Sequence, residues 1–156
     1  MGSLGFLRGG IVCLDTTPLI YFTEKNPTYF EATHPFFEAI AHGEFTAITS
    51  IMTLLEVLVD PIRHNDVKLI QRYRDLLFDT KGLKTVFLSR EIAEEAARLR
   101  AFHNIRTPDS IQIATALKEG ASFFLTNDMR LPSLPSLQTL VLDELIKDSD
   151  DLKKGQ

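Results

Sequence analysis

Four acidic residues stand where their chemistry exceeds what folding asks of them. Asp15 closes an apolar strand candidate, Glu56 sits inside an apolar helix candidate, Asp109 follows Thr107-Pro108, and Asp128 closes a second apolar run. Taken one at a time, a turn, a cap or a favourable helix-dipole contact accounts for each aspartate. Glu56 is harder to explain so, because an ionised carboxylate in an apolar helix needs partners. If two strand ends, a helix start and a helix face open into one cleft, four carboxylates repel one another and call for cations. Hard oxygen ligands of this kind suit Mg²⁺ or Mn²⁺, held with several waters and completed by substrate phosphate. A metal there lowers the pKa of a bound water, polarises a phosphoryl oxygen and stabilises the departing oxygen, which is the chemistry of phosphodiester hydrolysis.

The elements that must position these groups follow from hydrophobic patterning. Ile11 to Leu14 reads as a first strand ending at Asp15, after which Thr16, Thr17 and Pro18 supply a cap and first-turn proline for a short helix through Phe22. Thr28 to His42 reads as a helix that Pro35 must start or kink, stopped by Gly43. Phe45 to Thr49 is a second strand. Ser50 opens a helix through Val59 that is apolar nearly all round, so burial is expected, and Asp60-Pro61 breaks it. Asp66 to Phe78 is an amphipathic helix with Ile70, Tyr73 and Leu77 inward.

Lys84 to Leu88 is a third strand, and Ser89 with Glu91 starts a helix to about His103, with Ile92, Ala96 and Leu99 inward. Thr107-Pro108 then reads as N-cap and first-turn proline of a helix ended by Gly120. Ser122 to Thr126 is a buried strand delivering Asp128, Leu131 to Pro135 a loop, and Leu137 to Leu142 a last strand. Short apolar strands separated by helices predict a three-layer α/β/α sandwich with a mostly parallel sheet of about five strands. Right-handed crossovers put the carboxyl ends of the strands, and so Asp15 and Asp128, at one edge. The expected organisation is a flexible leader over 1–10, one domain over 11–142, and a charged, frayed tail over 143–156.

Composition excludes several classes. Over 156 residues, 44% hydrophobic and 24% charged, a compact soluble globule is expected, and no apolar run approaches a bilayer span, so no membrane partner is foreseen. The leader lacks the hydrophobic core of a secretory signal, and the single cysteine, Cys13, admits no disulfide framework, which makes the cytoplasm the default location. A formal charge of −4 does not advertise a nucleic-acid binder, although acids that hold cations make the whole-chain balance understate a working site's positive character. His34, His42, His64 and His103 lack ligand spacing, no serine sits in a nucleophile elbow, and no glycine-rich phosphate loop follows a strand. An aspartate-nucleophile phosphatase would want a second acid two residues after Asp15, where Thr17 stands.

Leu14-Asp15-Thr16, Thr53 to Leu58, Pro108 to Leu117 and Leu125 to Asp128 resemble, in order and spacing, the four motifs of the PIN domain. The resemblance spans Ile11 to Leu142 and implies a PIN-like nuclease domain acting as a Mg²⁺- or Mn²⁺-dependent endoribonuclease. Asp15, Glu56, Asp109 and Asp128 match the family's acidic quartet and are the implied metal and catalytic residues. Thr16, Thr17, Thr126 and Asn127 match positions that orient ligands or substrate, with Thr17 in place of a frequent Asn or Ser. Thr53, one helical turn before Glu56, is positioned to bond its carboxylate. Arg106 and Arg130 are candidate contacts to the RNA backbone. Small members resembling VapC-like toxins imply a small antitoxin protein, and Tyr21, Phe22, Tyr29 and Phe30 are a candidate surface for it or for a homodimer. The competing reading is a non-catalytic PIN-like module that binds RNA or protein.

Overall fold

The computed structural model describes residues 4–155. Its elements run β1 (Ile11–Leu14), α1 (Thr16–Thr23), α2 (Phe30–Ala41), β2 (Thr46–Ser50), α3 (Ile51–Arg63), α4 (Val67–Asp79), β3 (Leu83–Val86), α5 (Arg90–Phe102), α6 (Thr107–Lys118), β4 (Phe123–Thr126), β5 (Gln138–Val141) and α7 (Leu142–Lys154). The sheet is ordered β3-β2-β1-β4-β5, and every pairing in it is parallel. Alternate residues of a strand face opposite sides. Val12, Leu14, Ala47 and Leu125 accordingly enter one apolar cluster with residues of α1, α2, α3 and α4, while Cys13, Ile48 and Phe124 enter a second with α5 and α6. Both faces are covered, giving the expected three layers.

The order of the strands fixes where a site can form. After β1 the chain winds outward to β2 and β3, and after β3 it returns to β4 on the other side of β1. The loops leaving β1 and β4 therefore diverge at the carboxyl edge, opening a crevice between them. Leu14 lies beside Leu125 in register, so Asp15 and Thr126 meet at that opening.

Local chemistry sets the boundaries. Ser50 caps α3, its hydroxyl accepting from the Met52 N–H at 3.1 Å. Removing that cap by Ser50→Ala is expected to cost about 1 kcal/mol, seen as a melting temperature roughly 2–4 °C lower. Gly82 takes a left-handed φ of +90° before β3, where an added Cβ would come 3.0 Å from the Ile40 carbonyl oxygen. Gly120 closes α6 from the same region, at φ +76°.

Several expectations need correction. The cap of α1 is Asp15 rather than Thr16, and the residue before α6 is Arg106, with Thr107 already helical. Pro61 lies within α3 instead of ending it, because burial of its ring keeps the last turn packed although one backbone donor is lost. Pro35 likewise sits inside α2. The helix expected to be buried all round is amphipathic: Leu55, Val59 and Ile62 are 59%, 45% and 56% exposed.

The segment expected to fray forms α7, with Leu142 buried, Asp143 and Glu144 at its positive end, and Lys153 and Lys154 at its negative end. Tyr29 Oη donates to Asp143 Oδ1 at 2.7 Å and helps to hold the helix in place. Of the expected leader, residues 1–3 lie outside the described residues, while Gly5–Leu7 makes a 3-10 turn that buries Leu7 in the core. No helix among the described residues is long and apolar enough to cross a membrane.

Candidate active site

Asp15 stands at the crevice between β1 and β4. Its Oδ1 accepts from the Thr16 N–H at 2.8 Å, and its Oδ2 accepts from Thr126 Oγ at 2.7 Å. Burial pushes its carboxyl up to about 6; the hydrogen bonds from Thr126 and Thr16 oppose that rise, and the negative charges of Asp109 and Glu56 reinforce it. Glu56 reaches the cleft from the face of α3, where Thr16 Oγ donates to its Oε1 at 3.1 Å. Partial burial raises its pKa, Thr16 lowers it, Asp109 raises it and Arg106 lowers it. Asp109 enters from the first turn of α6 and pairs with Arg106, Nε to Oδ2, at 3.3 Å. Three of the expected acids thus share one electrostatic environment.

Asp128 is set apart from them. Arg130 grips it with Nε at 3.0 Å from Oδ1 and an Nη at 3.2 Å from Oδ2, and the Arg130 N–H adds a third bond at 2.9 Å. The Arg130 guanidinium therefore holds the Asp128 carboxyl below its ordinary range. Arg106 and Arg130, expected to face substrate, are both spent on carboxylates of the cleft.

The buried-helix description of Glu56 is corrected: its side chain emerges, exposed, at the rim of the cleft. Thr53 does not bond Glu56 either. It is fully buried and bonds Thr49 and Gln112, with Thr16 Oγ 3.3 Å away, leaving the glutamate to Thr16. Thr17 makes no side-chain hydrogen bond among the described residues. Asn127 faces away from the acids; its Oδ1 accepts from the Asp143 N–H at 3.0 Å and its Nδ2 donates to Tyr21 Oη at 3.4 Å, tying β4 to α7 and α1. Thr126 does touch Asp15.

The residues missed are Thr49 and Gln112, both buried and both hydrogen-bonded into the floor of the cleft. The available signal was a glutamine between Ile111 and Ile113, in the buried stretch of α6.

Among the described residues no three His, Cys, Asp or Glu side chains converge tightly enough to hold a metal as they stand. The donor set nevertheless suits a hard cation. Mg²⁺ keeps most of its waters and takes one or two carboxylates directly, and Asp15, Glu56 and Asp109 supply carboxylate oxygens, with the charges of Asp109 and Glu56 raising the Asp15 carboxyl and that of Asp109 raising Glu56. Cys13 offers no competing nucleophile, since burial pushes its thiol far above the usual range.

The sign of the Asp15 shift yields a prediction. Its folded value of about 6 exceeds the ordinary 3.8, so the folded state holds more protons across that window. Stability in chelator should therefore rise as pH falls from 7 through 6 and level off near 4. Thermal melts of Asp15→Asn should lack that component.

A family model described as the PIN domain matches residues 12–137. Among curated proteins none matches the chain. Solved structures do. A Rickettsia felis VapBC2 structure, described as bound to a DNA fragment from its promoter, superposes with TM-score 0.64 at 20% identity, covering 84% of this chain and 98% of that one. A toxin-antitoxin complex from Klebsiella pneumoniae gives 0.63 at 22% identity, covering 81% and 94%. Mycobacterium tuberculosis VapC20, described as a toxin that cleaves the sarcin-ricin loop, gives 0.59 at 13% identity, covering 72% and 86%. At these identities the likeness is one of fold.

Proposed function

Because the chain belongs to the PIN-domain family, we propose that it is an endoribonuclease that hydrolyses RNA phosphodiester bonds with the help of Mg²⁺ or Mn²⁺. The observation that carries the reading is the gathering of Asp15, Glu56 and Asp109 at the β1/β4 crevice, where the charges of Asp109 and Glu56 raise the Asp15 carboxyl and that of Asp109 raises Glu56. Asp15 and Asp109, with Glu56, would hold the cation. Once bound, such an ion supplies an activated water and stabilises charge on the phosphoryl oxygens.

The chain's own residues do the rest. Thr126 and the Thr16 N–H fix the Asp15 carboxylate, one on each oxygen, and Thr16 Oγ fixes Glu56. Arg106, exposed at the rim, would exchange Asp109 for substrate phosphate once a cation neutralised the acids, while Arg130 keeps its hold on Asp128. Selectivity would come from looped or single-stranded bases, since a closed A-form duplex hides its base edges.

The described neighbours include toxin-antitoxin complexes, and we extend that to this chain as a toxin role with a small antitoxin partner. The aromatic surface expected for it is largely consumed internally: Tyr21 stacks on Tyr29 at 4.2 Å, and Phe22 on Phe37 at 3.9 Å. The exposed stripe Leu55, Val59 and Ile62, on the helix that carries Glu56, is the better candidate for a partner or a second copy. A solution mass that stays monomeric from micromolar to near-millimolar protein would exclude the second copy.

The test is incubation of a mixed pool of structured RNAs with Mg²⁺, Mn²⁺ or chelator. Cutting that requires the metal supports the enzyme. RNAs bound intact under every condition would favour the non-catalytic binding module instead.

A further inference from the structure

We propose that Gln112 is a positioning residue for Glu56: its side-chain amide donates to the hydroxyl oxygens of Thr53 and Thr16 and so holds Thr16 with its own Oγ–H pointed at the Glu56 carboxylate. Thr16, Thr49, Ser50, Thr53 and Gln112 are all at most 5% exposed, so no bulk water substitutes for a missing partner.

Thr49 Oγ lies 2.8 Å from the Leu14 carbonyl oxygen, which can only accept, so the one hydroxyl proton of Thr49 is committed there. In the 2.7 Å contact between Thr49 and Thr53, Thr53 must then be the donor. With its proton gone, Thr53 Oγ accepts from Gln112 Nε2 at 2.6 Å. The second amide proton faces Thr16 Oγ at 3.4 Å.

The amide cannot turn over, because the Ser50 N–H donates to its Oε1 at 3.3 Å and would otherwise meet another donor. Thr16 keeps one proton, and the carboxylate of Glu56 at 3.1 Å is both nearer than Thr53 at 3.3 Å and the stronger acceptor. The Leu14 carbonyl thus orders Thr49 and Thr53, and Gln112 on α6, donating to Thr53 and Thr16, leaves the Thr16 proton for Glu56.

The consequence for metal binding rests on the proposed function, but the hydroxyl order itself does not. Two readouts separate them. In metal-free protein, NMR should find the Thr16 hydroxyl proton in slow exchange with a through-space contact to the Glu56 side chain, lost in Gln112→Leu while the rest of the spectrum is kept. Gln112→Glu, which keeps the shape and replaces the amide donor by an oxygen, should lose it too and serves if the leucine variant does not fold. A Thr16–Glu56 contact that survives in either folded variant overturns the proposal.

The second readout is Mn²⁺ affinity by electron paramagnetic resonance. Gln112→Leu and Thr16→Val should each weaken it by about tenfold, the double variant no more than either alone, and Thr16→Ser should keep it. Losses that add in the double variant would mean Gln112 does not act through Thr16. If the wild-type protein holds no Mn²⁺, the metal reading fails, and the hydroxyl proton alone decides the positioning role.

Discussion

Asp15→Asn is expected to slow metal-dependent RNA cleavage on the order of 10²- to 10³-fold, the loss typical of removing one preorganised charge-stabilising group. The substitution is chosen to isolate charge. Asparagine keeps an oxygen for the Thr16 N–H, so the cap of α1 survives, and Thr126 remains beside it. Because burial and two neighbouring acids already penalise the ionised form of Asp15, the variant should melt no lower than the wild type at pH 7, and activity and stability should part company. Asp128→Asn should cost far less, since Arg130 already occupies both oxygens of that carboxylate and the charge of Asp128 does not perturb Asp15 or Glu56. Single-turnover rates on one cleaved RNA, measured beside thermal melts, check both statements. Equal losses at Asp15 and Asp128 would show that Arg130 leaves its partner during turnover.

Phe124→Ala should produce the largest loss of stability. The ring is 1% exposed on β4, between Cys13 of β1 and Thr139 of β5 in register, and packs into the cluster that holds α5 and α6 to the sheet. Emptying such a site costs about 3–5 kcal/mol in transfer and cavity terms. For a chain of this size that is a melting temperature lower by roughly 6–20 °C. Phe102→Ala is the internal control: its ring is 82% exposed at the end of α5, and its change should stay within about 0.5 kcal/mol. Because β4 also delivers Thr126 to Asp15, the Phe124 variant should lose activity in parallel with its folded fraction and not beyond it.

These contrasts trace how far the sequence could be read. Period-two and period-3.6 patterning located every strand and most helices, since a sheet covered on both faces demands runs such as Val12 to Leu14 and Phe123 to Leu125. It failed where tertiary packing overruled local preference. Pro61 reads as a stop, yet its buried ring makes α3 worth extending by a turn. The tail after Asp143 reads as solvated charge, yet Leu142 and the Tyr29 contact anchor a helix there.

The site was legible as residue types and not as partnerships. Asp15, Glu56 and Asp109 lie within reach of one another's charge because strand order brings the β1 and β4 ends, α3 and α6 to one edge. That Arg130 claims Asp128, that Thr16 and not Thr53 serves Glu56, and that Asn127 serves α7 depend on side-chain directions across loops and helices distant in sequence. Hydrophobic periodicity carries no information about those.

The central claim is that the β1/β4 crevice holds a divalent cation between Asp15, Glu56 and Asp109. Anomalous diffraction from crystals soaked in Mn²⁺ tests it most directly. The account predicts a peak within ligand distance of Asp15 and at least one of the other two acids, absent from crystals of Asp15→Asn. A peak only at other surface acids, or one that persists unchanged in Asp15→Asn, would contradict it.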